Sequence, residues 1–462
     1  MALTIQIPNT YEPERRYILS VLMKEFLGLD IQIQVANRKE VLITQDDHRQ
    51  LFIVDGLFNT PLQQWLQPVS LPQQPLKIWD LASTPLRVTT VEPHIPVIYG
   101  NDPGNPDFFR QSELEIYLGL DIFGSAFFML TRYEEVIKPE RNHVDRFPAT
   151  ASLAYQEGFL DRPIINEYLE ILWACLKHLW TQLERKNRQF QLKLTCDVDK
   201  PFELHPFTIK QWIRRLGGDF LVRHDLKLVT SLAINGCMAS LRLPYYDRLD
   251  TFDWLMDHSE EIGVKSAFYF IAGYSPSDPR YDISDSRICG LIKKIISRGH
   301  EVGLHPSYDT YLNPEKLILE AKTLRSVLQE RLNIELPIGG RQHYLRWKAT
   351  DSWQHWEDAS LVYDSSVYFA EHSGFRAGVC YEYSTFNLIT RQHLKLKEYP
   401  LILMDASLLL SKYMNLSCAD ATQKINLLKN RCKLFNGIFV SLWHNDQLFK
   451  TKYKNLYTNI IY

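Results

Sequence analysis

From about residue 188 onward, short apolar runs alternate with stretches of helical spacing, and this alternation limits the fold more than any other feature of the chain. Seven runs read as strands: 190–196, 265–271, 301–304, 335–340, 361–363, 398–403 and 437–443. Helical spacing recurs between most of them, at 249–262, 285–298, 313–332, 350–359 and 418–432. Strands separated by helices build parallel βα units. The expected fold class is therefore α/β, with a seven-stranded (β/α) barrel, somewhat short of eight strands, over residues 188–455. An open doubly wound sheet is the competing arrangement. In barrels of this kind, chemistry gathers at the C-terminal ends of the strands.

With 462 residues, the chain is too long for one ordinary core. Residues 1–135 read as a smaller α+β N-terminal domain of unassigned role, and 136–187 as a helical connector. Strand-like runs occur at 41–44 and 51–54. The segment SELEIYLGLDIFGSAFFMLTRYEEV, 112–136, has helical spacing and opens like a Ser/Glu capping box, so it predicts a helix. A second helix is expected over Glu167–Arg185.

Lys plus Arg number 52 and Asp plus Glu 54, which leaves no global basic field for nucleic acid or an anionic membrane. No stretch approaches ~18 uninterrupted apolar residues, so no membrane span is expected. The opening MALTIQIPNTYEPERRYIL lacks a basic stretch followed by an apolar run. Seven scattered cysteines form no CxxC pair, as expected of reduced thiols in a cytoplasmic protein. Cys196 is read as a packing residue rather than a nucleophile.

The strand-end rule picks out a set of polar side chains. The first strand runs into Asp197-Val198-Asp199, the third into His305 with Asp309 a turn later, and the fourth into Arg341. The fifth ends in Asp364 and the seventh in Trp443-His444-Asn445-Asp446. Asp197 and Asp199, two apart at a strand end, point to one side, where they repel unless a cation or a proton lies between them. Pro306 suits the first position of a helical turn, so His305 and Asp309 are expected to face the same way. One histidine with two carboxylates then leaves positions open on a bound metal. His444, after an apolar strand, is a candidate general acid or base. HisGluValGlyLeuHis at 300–305 is not a zinc-protease helix, because its histidines are five apart rather than four.

Over about residues 190–450, these segments resemble the polysaccharide deacetylase (NodB-homology) family, carbohydrate esterase family 4. That family carries five ordered motifs. Thr195-Cys196-Asp197-Val198-Asp199 is similar to its first, TFDDG. GHEVGLHPSYD, Gly299 to Asp309, is similar to its second, GHEIGNHTxxH, with Asp309 where the family has histidine. Arg341 in GGRQHYLRW stands for the third, with Arg346 as the fallback. Asp364-Ser365-Ser366 and GlyPheArgAlaGly at 374–378 match the fourth loosely, and Leu442-Trp443-His444 stands for the fifth. The N-terminal region looks like the extension found on some bacterial deacetylase-like proteins.

The resemblance implies a catalytic base, Asp197, oriented by Arg341, and an acid, His444. It implies a divalent metal on Asp199, His305 and Asp309, zinc first, with cobalt, nickel or manganese as alternatives. Arg346, Asp364, Arg376 and Trp443 are the expected substrate contacts. The implied reaction removes an N-acetyl group from an amino sugar or saccharide, and polysaccharide-biosynthesis proteins are partners consistent with it. Two other readings stand beside it: a related metal amidohydrolase on a non-sugar C–N bond, and a degenerate deacetylase fold that binds carbohydrate or acts as a scaffold. Asp309 in place of histidine and the atypical third motif are the support for the degenerate fold.

Overall fold

The computed structural model describes residues 2–45, 48–203 and 246–462. The chain is mixed α/β. In the N-terminal part, β1 (Leu3–Ile7), β2 (Ile31–Val35), β3 (Val41–Thr44), β4 (Gln50–Ile53), β7 (Phe109–Gln111) and β8 (Glu115–Leu118) form one sheet in the order β2-β1-β3-β4-β8-β7. Strands β5 (Lys77–Asp80) and β6 (His94–Val97) pair separately. Helices Glu12–Leu19, Ile122–Leu130 and Ile164–Leu179 bring their apolar residues into the same core.

The helix expected over 112–136 is corrected in its first third. Residues 115–118 alternate exposed and buried, the period of a strand, and pair with β4 and β7 as β8. The helix starts only at Ile122, where the Asp121 carboxylate accepts from the Gly124 amide at 2.7 Å and serves as its cap.

In the second part, β9 (Gln191–Val198), β10 (Ala267–Phe270), β11 (Glu301–Leu304), β15 (Leu403–Met404) and β16 (Ile438–Leu442) form a parallel sheet ordered β11-β10-β9-β16-β15. The array extends past β11 through single bridges, Leu304 to Gly340 and Gly340 to Asp364. It thereby reaches β12 (Tyr363–Asp364), β14 (Gln392–Glu398) and β13 (Tyr383–Asn387). The strand expected at 335–340 is thus reduced to one bridging residue. Gly340 makes that bridge possible: a Cβ there would lie 1.9 Å from the Leu304 carbonyl oxygen. The β13–β14 hairpin has no counterpart in the sequence reading. Helices Phe252–Glu261, Ser286–Ser297, Pro314–Ser326, Ser352–Asp358 and Cys418–Leu434 fall on the five expected helical stretches. No helix among the described residues is long and apolar enough to cross a membrane.

The two parts are joined by ion pairs. Glu14 holds Arg391 at 2.6 Å and Glu25 holds Lys397 at 2.7 Å, both on or beside the β13–β14 hairpin. Deeper in the fold, the Glu135 carboxylate accepts from Arg132 Nε at 2.8 Å and Arg376 Nε at 2.9 Å, with all three side chains nearly inaccessible. Burial pushes the Glu135 carboxyl up, but the guanidinium charges of Arg376 and Arg132 hold it below its ordinary value. Removing one partner of such a cluster leaves uncompensated buried charge, at a cost of about 3–5 kcal/mol. Glu135→Leu is expected to lower stability by that order, read as an earlier urea-unfolding transition; an unchanged transition would exclude the cluster as a joint between the two parts.

Candidate metal centre

Parallel strands put their C-terminal ends on one rim, and six segments bring polar side chains there. β9 carries Asp197 next to its end and leads to Asp199, β11 runs into His305, and Gly340 leads to Arg341 and His343. β12 runs into Ser365, β15 into Asp405 and β16 into His444. Along β9 the alternation sends Val198 into the core, fully buried, and Asp197 and Asp199 to the other side.

Three imidazoles surround Asp199, and each is held by its Nδ1. His305 Nδ1 lies 2.6 Å from the Arg341 carbonyl oxygen, His343 Nδ1 2.7 Å from Asp278 Oδ1, and His444 Nδ1 2.8 Å from Asp405 Oδ1. A carbonyl or carboxylate oxygen only accepts, so each Nδ1 carries the proton. The three Nε2 atoms therefore face inward: those of His305 and His343 lie 3.3 and 3.4 Å from Asp199 Oδ1, and that of His444 lies 4.0 Å from Asp199 Oδ2. Asp199 Oδ1 is buried and makes no hydrogen bond. A carboxylate oxygen opposed to two imidazole nitrogens needs either extra protons or a cation between them.

Ligand atoms of Asp199, His305 and His343 all lie within 4.8 Å of one another, a spacing one metal ion can span. Two imidazoles and a carboxylate suit a borderline divalent ion such as zinc, cobalt or nickel. The anchored Nδ1 atoms supply the outer hydrogen bonds that fix metal-binding histidines. The orphaned Asp199 oxygen and this donor set fit a divalent ion. Charge balance shows the same demand. Burial pushes the Asp199 carboxyl up, yet the charge on His343 and the His305 and His444 imidazoles beside it hold it well below the usual range. Burial pushes His343 down, but Asp199 and Asp278 raise it to about 9. His444 is likewise raised well above its ordinary value, against burial, by Asp405 and the other acids.

Asp197 lies beside this cluster, buried, with Oδ1 accepting from Arg341 Nη1 at 2.8 Å and Oδ2 3.7 Å from His305 Nε2. Arg341 is itself fully buried. Asp199 also lines a cavity of about 190 Å³, together with Asp405, Leu409, His444 and Tyr453.

Other expected site residues lie elsewhere. Asp309 is half exposed in the 3-10 turn Tyr308–Leu312, with Lys316 Nζ 3.6 Å away, and His343 occupies the place expected of it. The i, i+4 argument fails because Ser307 is extended, with φ −59° and ψ 159°, so His305 and Asp309 share no helical face. Asp364, Arg376 and Trp443, expected to meet substrate, are buried inside the fold. Asp364 accepts from Ser366 Oγ, and burial pushes its carboxyl up to about 7. Arg376 belongs to the Glu135 cluster, and Trp443 packs edge-on against Tyr457. Arg346 lies over the Tyr308 ring and donates to the carbonyls of Val144 and Tyr308, so it ties segments together. Cys196 is buried, and burial pushes its thiol well up, as befits a packing residue. The sequence reading missed His343, Asp278 and Asp405. Asp405 directly follows an expected strand, and His343 lies two residues past Arg341, so the strand-end rule reaches both; Asp278 carries no such signal.

Residues 3–181 match a family of unknown function, DUF7033. No curated protein matches the chain. Among solved structures, the chain is similar to a protein assigned as a polysaccharide deacetylase from Mycobacterium smegmatis, at 13% identity and TM-score 0.37, covering 60% of this chain and 82% of that one. It is similar to Puue allantoinase at 12% identity and TM-score 0.35, covering 59% and 83%. The Xyl-CE4 domain of a multidomain xylanase from the hindgut metagenome of Trinervitermes trinervoides matches at 11% and TM-score 0.27, covering 60% and 82%. These likenesses are distant, and the chemistry of the rim is read from its own geometry.

The geometry brings His343, and not Asp309, beside Asp199 and His305. Asp309→Ala is expected to retain one equivalent of bound zinc or cobalt after dialysis, and His343→Ala to lose it, as measured by elemental analysis. The reverse pattern would restore Asp309.

Proposed function

We propose that this chain is a divalent-metal-dependent hydrolase that removes the acetyl group from an N-acetylated amino sugar or saccharide. The observation that carries the reading is the convergence of three Nδ1-anchored imidazoles on Asp199, with a second carboxylate, Asp197, clamped beside them by a buried arginine. Asp199, His305 and His343 would hold the ion. A divalent ion there supplies Lewis-acid polarisation of a carbonyl and lowers the pKa of water toward ~7.

The remaining chemistry belongs to the protein. Asp197 is the base: the Arg341 guanidinium holds its Oδ1 at 2.8 Å and so fixes the direction in which Oδ2 can take a proton from water. His444 is the acid. Asp405 accepts from both its backbone N–H and its Nδ1, which turns Nε2 toward the rim, where it can protonate the leaving nitrogen. The base and the acid lie on adjacent parallel strands, β9 and β16, with Asp199 within 4.0 Å of His444. Water adds to the acyl carbon, the C–N bond breaks, and acetate and an amine leave.

The sugar substrate rests on the ordered motif resemblance, from Asp197-Val198-Asp199 through His305 and Arg341 to His444. The degenerate reading loses its main support, because His343 offers the second imidazole that Asp309 lacks. The test is acetate release from N-acetylated amino sugars, free and nucleotide-linked, alongside a panel of cyclic amides. Chelation is expected to abolish activity. Asp197→Asn is expected to reduce kcat by about 10²–10⁴-fold, the usual worth of a general base, with metal content retained. Turnover of cyclic amides alone would move the chain to the other amidohydrolase class. A metal-loaded protein inert on the whole panel would overturn the hydrolase reading.

A further inference from the structure

The N-terminal part sends one loop to the rim. Within residues 142–146, Asn142 Nδ2 donates to Glu371 at 2.9 Å, the Val144 carbonyl accepts from Arg346 at 3.0 Å, and Asp145 accepts from Tyr311 at 3.1 Å. Arg146 reaches furthest. Its Nη1 donates to the Tyr344 carbonyl oxygen at 2.7 Å, and its Nη2 donates to Tyr413 Oη at 3.3 Å and lies 3.5 Å from Glu371. Its side chain is 7% exposed, although among the described residues its cation pairs with a single carboxylate, and that at 3.5 Å.

The Tyr344 carbonyl belongs to an unusual turn. Tyr344 has φ 57° and ψ 10°, and Leu345 follows with φ 54°. Consecutive non-glycine residues in the left-handed region are costly and persist only where surrounding contacts enforce them. The turn begins at His343, whose Nε2 faces Asp199. A relaxation of the turn would carry the His343 backbone with it, and small misplacements of such groups weaken a site steeply.

We propose that Arg146 is a positioning residue, through which the N-terminal part holds the strained turn at Tyr344–Leu345 and thereby sets His343 for metal binding. The proposal rests on the reading of His343 as a ligand. It gives residues 1–181 a role in the site without a group of their own touching the ion: they act on the centre through a backbone carbonyl one residue beyond the ligand.

The test is titration of the metal-free full chain with cobalt(II) chloride, followed by calorimetry and by the cobalt ligand-field absorption. Arg146→Met keeps the aliphatic stem and removes the donors; it is expected to weaken cobalt binding by about 10–100-fold, the usual effect of losing an outer-shell support, and to alter the absorption band. Arg146→Lys, which can still donate to one carbonyl, is expected to recover part of the loss. Glu371→Gln loosens Arg146 without changing it, is expected to weaken binding severalfold, and decides the matter should the methionine variant fail to fold. Arg110→Met, at an exposed surface arginine, is expected to bind as the wild type does. Wild-type affinity and spectrum in both Arg146→Met and Glu371→Gln would overturn the role of Arg146 while leaving the metal centre standing. A wild-type chain that binds no cobalt would overturn the centre itself, and the proposal with it.

Discussion

The rim depends on one buried cation. Arg341 has no exposed surface, and its guanidinium makes four hydrogen bonds, to Thr195 Oγ1 at 2.9 Å, Asp197 Oδ1 at 2.8 Å, the Ser365 carbonyl at 2.8 Å and Ser365 Oγ at 2.9 Å. Its own carbonyl accepts from His305 Nδ1. One residue thereby joins the ends of β9, β11 and β12. A guanidinium taken out of water costs several kcal/mol unless it is paired and bonded, so the strand ends must stay in register to satisfy it. The same geometry fixes the orientation of Asp197 and the tautomer of His305. Fold and chemistry therefore share one set of bonds, and glycine at position 340 lets the chain pass close enough to Leu304 for that set to form.

The strand-end rule reached much of this from the sequence because parallel topology is written in a simple pattern. A run such as Glu301–Leu304 is apolar, short and bounded, and whatever follows it lies at the rim. The rule gives position but not direction. Trp443 and His444 both follow β16, yet neighbouring side chains point to opposite faces, so Trp443 enters the core and His444 the rim. Asp364 is fully buried despite ending its strand. Direction was legible only where two polar residues stood two apart, as at Asp197 and Asp199.

Asp309 stands apart from His305 for a related reason. Placing Asp309 next to His305 required a helical turn straight after β11. The chain instead extends through Pro306 and Ser307, where buried Glu320 accepts from both the amide and the hydroxyl of Ser307. Glu320 comes from the helix Pro314–Ser326, a tertiary contact that no local spacing encodes. His343 escaped notice because the segment before it was read as a full strand. Only Gly340 pairs there, so the chain leaves the sheet early and turns back over the site. The β13–β14 hairpin was missed similarly: 398–403 was read as one strand, whereas Glu398 ends β14 and Leu403 begins β15.

Moving the second imidazole from the segment after β11 to the turn after Gly340 changes what the centre depends on. Ligands i and i+4 on one helical turn are held by that turn's own hydrogen bonds. His305 and His343 come from separate segments, and their alignment needs the sheet, the Arg341 carbonyl and the Asp278 carboxylate together. The turn after His343 is also held from outside, by a loop that begins in the N-terminal part of the chain. A site assembled from distant segments is sensitive to the packing of each. The buried pair Glu135–Arg376 and the partly exposed pair Glu14–Arg391 tie the part of the chain that carries this loop to the segments of the second part. The candidate metal centre thus lies where constraints from the N-terminal part and from the parallel sheet meet.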